Sequence, residues 1–159
     1  MLHNTYAGQT CSVARTLELV GERWTLLILR DAFLGVRRFD DFQRSLGVAR
    51  NVLNTRLQRL CEVGLLERTR YQERPERFEY RLTEMGLDLW PAIVALMEFG
   101  DKHLADDGPP AVITHRGCGG RVGASRVCSE CGASVGPREA WWEPGPGADP
   151  AFVNRLARA

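Results

Sequence analysis

The alternation of apolar and polar positions divides the chain into short elements. Between Val48 and Val63, VARNVLNTRLQRLCEV puts Leu53, Leu57 and Leu60 on one face of a helix and Asn51, Asn54, Thr55 and Gln58 on the opposite face, as a repeat of about 3.6 residues requires. A shorter helix, FDDFQRSL, precedes it across Gly47. Upstream, Val13, Leu17 and Val20 recur at helical spacing over Ser12–Val20, with Ser12 as the expected cap. After Gly21 a second helix is expected from about Glu22 to Leu34, burying Trp24, Leu27, Ile28 and Phe33 and ending at Gly35.

Beyond Gly64 the period changes to two. In LLERTRYQERPERFEYRL, Leu66, Arg68 and Arg70 alternate with Glu67, Thr69 and Tyr71, and Phe78 and Tyr80 alternate with Glu79 and Arg81. With Pro75 in the turn, this predicts a hairpin with one side of each strand buried. Thr83 then caps a helical region reaching about Leu104, and Pro91 inside it predicts a break or kink near Trp90. Ile93, Leu96, Met97 and Gly100 form a stripe on its later part, followed by His103 and Leu104. Such a stripe can pack on the same stripe of a second copy or back on its own domain. Helix, turn, helix and hairpin together predict a winged helix-turn-helix, mainly α with a small β wing.

Composition adds location and partner. The chain has 159 residues, 44% of them hydrophobic, and no apolar run near the about 18 residues that would suggest a membrane span. Its start, MLHNTYAGQTCS, lacks a secretory leader, so a cytoplasmic protein is expected, with residues 1–10 as a flexible arm. Net charge is only +1, but it is unevenly spread: Arg37 to Arg81 holds 11 arginines against 7 acidic residues, and Leu82 to Asp107 holds 6 acidic residues against Lys102. The basic stretch coincides with the helix-turn-helix and wing, as phosphate neutralisation demands.

The polar face of the Val48–Val63 helix carries amides and a hydroxyl but no carboxylate. Arg50, Asn51, Asn54, Thr55 and Gln58 are therefore the expected readers of operator DNA. Arg37 and Arg38 lead into FDDFQRSL and can meet phosphate, as can Arg70, Arg74 and Arg77 on the wing. A plain amphipathic helix with solvated arginines around it is the competing reading.

The second chemical signal lies beyond the linker DDGPP. In HRGCGGRVGASRVCSECG, His115 and Cys118 are two residues apart, nine residues follow, and Cys128 and Cys131 are again two apart. This spacing fits a Cys3His zinc-ribbon-like module holding a structural Zn ion with no open coordination position. A Cys128–Cys131 redox pair and a ribbon that has lost its metal are the alternatives. The expected segments are 1–104 for the winged helix and dimerisation region, 105–111 for a linker, 112–143 for the ribbon and 144–159 for a tail. Just before that tail Trp141 and Trp142 should point to opposite sides of a strand, and within it Phe152, Val153 and Leu156 should make the contacts of a short last helix. Cys11 precedes the first helix, where a thiol pKa can be lowered; redox sensing and simple space filling are both open for it. The histidines His3, His103 and His115 accompany no nucleophile motif or phosphate-cradling loop, so no enzyme is expected.

From Cys11 to His103 the chain resembles the HxlR-type winged helix-turn-helix regulators of bacteria. The resemblance rests on a cysteine ahead of the first helix, GERWTLLILRD, RRFDDF, NVLNTRL, GLLER, Pro75, YRLTEMG and FGDKH. It implies a homodimer that binds double-stranded operator DNA, with a response to a small-molecule effector or thiol oxidant left open. Ser12 departs from the proline usual after the cysteine, which bears on carrying thiol sensing over to Cys11. The rival from another class is a zinc-ribbon protein-interaction or RNA-binding module that uses the winged helix for docking.

Overall fold

The computed structural model describes residues 5–6 and 8–156, without the side chains of Phe152, Arg155 and Leu156. Most of the expected arm, and the expected contacts of Phe152 and Leu156, therefore lie outside the described residues. In chain order the elements are α1 Ser12–Val20, α2 Thr25–Phe33, α3 Phe39–Leu46, α4 Arg50–Glu62, β1 Leu66–Gln72, β2 Arg77–Leu82, α5 Glu84–Leu87, α6 Trp90–His103, β3 Ala111–His115, β4 Ala140–Pro144 and α7 Pro150–Leu156. They form two compact units, one of Met1–Ala32 with Arg37–Thr83 and the other of Phe33–Val36 with Glu84–Ala159.

In the first unit, α1 has the expected span, but Cys11 occupies the cap position and Ser12 is already helical. Ala14 and Val20 are buried, whereas Val13 is 65% exposed. Helix α2 starts at Thr25, three residues late, because the turn before it is closed by the Thr25 N–H on the Glu22 carbonyl. Its buried face runs through Thr25, Ile28 and Leu29, so Leu27 falls nearly opposite and is 37% exposed rather than core. Trp24 is half-buried.

Phe42 of α3 and Leu53, Leu57 and Leu60 of α4 are almost wholly buried. The turn between these helices needs Gly47, whose φ of 62° lies in the left-handed region while its N–H bonds the Gln43 carbonyl. Strands β1 and β2 pair antiparallel from Leu66↔Leu82 to Arg70↔Phe78, with an irregularity between Arg70 and Gln72. A backbone bridge from Arg38 to Glu79 adds a third edge.

Burial of one side of β1 is not observed. Only Leu66 is buried there, because a projecting two-stranded ribbon has no layer above it. The Arg68 guanidinium instead lies 3.5 Å from the Phe78 ring centroid. Tyr80 of β2 is buried, edge-on to Phe42.

In the second unit, Pro91 sits in the first turn of α6, where its missing N–H costs no helical bond. The proline thus opens a helix instead of kinking one, and the break falls before Trp90. Trp90 and Val94 join Ile113, Val122, Cys128, Val135 and Ala140 in a buried cluster, with Phe33, Met97 and Trp142 against it. The expected stripe is consequently divided: Ile93 is buried and Met97 half-buried, while Leu96 and Leu104 are exposed, as is Phe99 outside the stripe.

Strands β3 and β4 pair antiparallel from Ala111↔Pro144 to His115↔Ala140. Single bridges Thr114↔Arg121, Val122↔Cys128 and Val127↔Ser134 continue the meander. Trp141 and Trp142 do point to opposite sides. Trp142 meets Trp90 edge-on at 5.8 Å, and Trp141 is 51% exposed beneath the Arg116 guanidinium. The Gly145 and Gly147 N–H groups bond the carbonyls of Pro110 and Pro109. A Cβ on Gly145 would strike the Pro109 carbonyl and one on Gly147 the Gly108 carbonyl, so only glycine permits this closure.

Candidate nucleic-acid interface and metal centre

The outward face of α4 is formed by Asn51, Asn54, Thr55 and Gln58, all exposed. Thr55 Oγ1 donates to the Asn51 carbonyl at 3.0 Å, and Gln58 Nε2 donates to Glu62 Oε1 at 3.1 Å. Among the described residues the side-chain amides of Asn51 and Asn54 have no hydrogen bond, which leaves both their donors and acceptors available. Arg50, at the start of the helix, bonds Asp40 at 3.1 Å and Gln43 at 3.3 Å and lies 4.7 Å from the Phe39 ring centroid. Asp40 therefore both neutralises and aims it.

The other candidate arginines divide in the same way. Arg38 pairs with Glu79 at 3.6 Å and covers Tyr71, and Arg70 pairs with Glu76 at 3.1 Å and Glu73 at 3.9 Å. Arg37, Arg74 and Arg77 are exposed with no carboxylate in salt-bridge range among the described residues. Glu79 is held below its ordinary pKa, first by the hydrogen bond from Arg81 and then by the charges of Arg81, Arg38 and Arg37. The sequence pattern held no sign of Asp40 and Glu79 as organisers of Arg50 and Arg38. Acidic residues next to a basic face read as dilution until their partners are seen in space.

His115, Cys118, Cys128 and Cys131 come together as expected, their ligand atoms all within 4.8 Å of one another. Cys118 Sγ lies 3.4 Å from His115 Nδ1 and 3.3 Å from Cys128 Sγ, and Cys131 Sγ lies 3.3 Å from the same Nδ1. Bond lengths of about 2.0 to 2.3 Å to a tetrahedral ion imply ligand separations of about 3.5 to 3.8 Å, close to these distances. A disulfide would need about 2.05 Å, and all the cysteines are free.

The two knuckles repeat one local design. The His115 N–H bonds the Gly120 carbonyl and the Cys128 N–H bonds the Ala133 carbonyl, five residues on in each case. Gly119 and Gly132, directly after the second ligand of each knuckle, have φ of 75° and 70°. The N–H groups of Cys131, foremost, and Glu130 hold the Cys128 thiol down to about 6, which favours the thiolate a metal needs. For Cys118 the Gly120 N–H pulls downward, but the neighbouring sulfurs and burial outweigh it and raise the thiol above its ordinary value. The four residues present fit a structural ion; they would hold it and cross-link two loops.

Cys11 is exposed, and the N–H groups of Ala14 and then Val13 lower its pKa. No helix among the described residues is long and apolar enough to cross a membrane.

A helix-turn-helix joined to a hairpin, with an amide-lined outer helix, defines a winged helix-turn-helix DNA-binding regulator. The HxlR-like helix-turn-helix family model matches residues 19–107, and the chain belongs to that family. An uncharacterized HTH-type transcriptional regulator of Mycobacterium tuberculosis is 53% identical over 157 residues, covering 98% of this chain and 96% of that protein. Among solved structures, PA1607, described as a candidate transcription factor, is similar with a TM-score of 0.67 and 36% identity, over 83% of this chain and 93% of its own. The redox regulator HypR in its reduced form is similar with a TM-score of 0.55 and 29% identity, over 58% of this chain and 92% of its own.

Proposed function

We propose that this transcriptional regulator is a cytoplasmic homodimer that binds an imperfectly palindromic operator, with α4 in the major groove. The observation that carries the reading is the pair of unengaged amides on Asn51 and Asn54, exposed on a helix whose other face is buried. Asn51, Asn54, Thr55 and Gln58 read base edges; Arg50, aimed by Asp40, and Arg37, Arg38, Arg70, Arg74 and Arg77 contact phosphate. The exposed apolar side chains Val13 and Leu17 on α1, Leu96 and Phe99 on α6, and Leu104 just after it supply the dimer contacts. Two-fold symmetry then sets the half-sites about 10 base pairs apart. Footprinting on genomic fragments recovered with the protein, combined with sedimentation, tests this. A monomer that binds a single half-site with full affinity would overturn it.

The four-ligand cluster holds a structural zinc ion, as its three sulfurs and one imidazole favour. The likeness to HypR, with the lowered pKa of exposed Cys11, supports a response to thiol oxidants. A small-molecule effector has a candidate place in the groove of about 410 Å³ bounded by Glu18, Glu22, Arg56, Arg59 and Glu62. The exposed Trp141 with Arg116 above it favours the second reading, RNA or protein docking by the ribbon. Comparing duplex DNA with RNA in filter binding, across salt concentrations, separates the two.

A further inference from the structure

We infer that the metal centre governs helix α6: the folded ribbon is the inner half of the core on which that helix rests, so occupancy of the four ligands sets the order of α6. The inference deepens the metal and dimer readings above.

Three observations carry it. First, Cys128 is at once a ligand and a core residue. It is 2% exposed and clusters with Trp90 and Val94 of α6, and its sulfur lies so close to the Gly120 backbone that a Cβ on Gly120 would collide with it. The ligand loops therefore cannot loosen without disturbing the side chains that cover α6. Second, the helix is tied to the ribbon by a polar contact as well: the Glu98 carboxylate accepts the Ala124 N–H, and the short α5 before it is tied separately through Glu84 to Arg138. Third, the ribbon is too small to hold itself. Its own buried apolar residues are Ala111, Ile113, Val122, Cys128, Val135 and Ala140, and so few side chains in so short a segment do not offset its chain entropy without a cross-link or a borrowed surface.

Trp90 is that borrowed surface, at 1% exposure and in contact with Phe33 and Trp142. An ion that binds only the folded ribbon stabilises everything folding with it, which includes α6. The outer face of the same helix carries Leu96 and Phe99, with exposed Leu104 just past its end, so ligand occupancy is transmitted to the surface assigned to the second copy.

The test uses the full chain. Zinc is counted by elemental analysis, removed with a chelator under reducing conditions and then restored, and hydrogen exchange is followed in residues 90–103 and 50–62. Stripping should speed exchange in 90–103 about tenfold or more and in 50–62 less than about twofold, with reversal on zinc addition and a matching weakening of the dimer by sedimentation. Cys118→Ser, which removes an exposed ligand outside the apolar cluster, should reproduce the stripped state. Zinc present and removable with 90–103 unchanged would overturn the coupling and leave the metal reading intact. Less than about one zinc per two chains in the purified parent would overturn both.

Discussion

In the first unit the buried residues Phe42, Leu53, Leu57 and Leu60 lie on helices that cover one another. The core of the second is composite: Trp90 and Val94 come from one helix, and Ile113, Val122, Cys128 and Val135 come from short strands and turns held around four ligands. The same contrast appears in the charges. Among the described residues near α4 and the wing, arginines 38, 44, 50, 56, 59, 70 and 81 each meet a carboxylate while Arg37, Arg74 and Arg77 do not, whereas in the ribbon Arg138 pairs with Glu84 and Arg116, Arg121 and Arg126 have no such partner among the described residues. One unit is organised by helical amphipathicity and many paired charges, and the other by a His/Cys cluster that could hold a metal and one large aromatic residue. Damage should therefore spread differently in the two.

The largest contrast is expected from core truncation. Trp90→Ala should cost about 3 to 5 kcal/mol and Leu57→Ala about 2 to 5 kcal/mol, but in different places. The first should raise hydrogen exchange across 90–103 and the ribbon together, and the second across α3, α4 and the wing. Uniform loss of protection over the whole chain in both variants would remove the distinction between the units.

Next in size are the residues proposed to read DNA. Asn51→Ala and Asn54→Ala should each relax sequence preference by about 1 to 3 kcal/mol at a few operator positions, measured by competition among operator variants. Unchanged preference in both would show that α4 presents another face to DNA.

Arg74→Ala and Arg77→Ala should weaken all duplexes alike, with the salt slope reduced by about 1 for each phosphate left without its arginine. Arg121→Ala on the ribbon should leave that slope unchanged if only the winged unit meets DNA. A shallower slope would assign the ribbon a share of the DNA interface.

The smallest effect concerns pH. The folded-state pKa of Glu79 lies below its ordinary 4.5, so its stabilising contribution is complete above that value and is lost as pH falls through the folded pKa. Glu79→Gln should flatten the acid limb of the stability curve by less than about 1 kcal/mol, as surface ion pairs usually do, and should do so in the first unit only.

Where sequence and structure agree, local periodicity or spacing carried the information. Leu53, Leu57 and Leu60 declare the inner face of α4 through their intervals alone, and the two ligand pairs declare themselves through two-residue gaps and the glycines after Cys118 and Cys131. What stayed hidden was non-local. Arg50 looked like a free cation because Asp40 lies ten positions away, and Met97 looked like part of a stripe open to a second copy because the strands it packs against come later in the chain. The pattern overestimated burial in β1, since alternation records which residues could face a layer and cannot supply the layer. The break expected near Trp90 is present, but as the gap before a helix that Pro91 opens and not as a kink, because proline suits a first turn as well as it breaks a later one.

The placement of Trp90 has a consequence for synthesis. A ribosome completes α6 37 residues before Ala140 of β4, which at about 5 to 20 residues per second is an interval of about 2 to 7 s. During that interval the inner face of the helix, Trp90, Val94 and Met97, lacks the ribbon, and of the residues already made Phe33 alone is in ring contact with Trp90 among the described residues. Nascent chains stalled with α6 outside the ribosome and the ribbon still inside should bind a hydrophobic dye or a chaperone, and the released full chain should give it up once zinc is supplied.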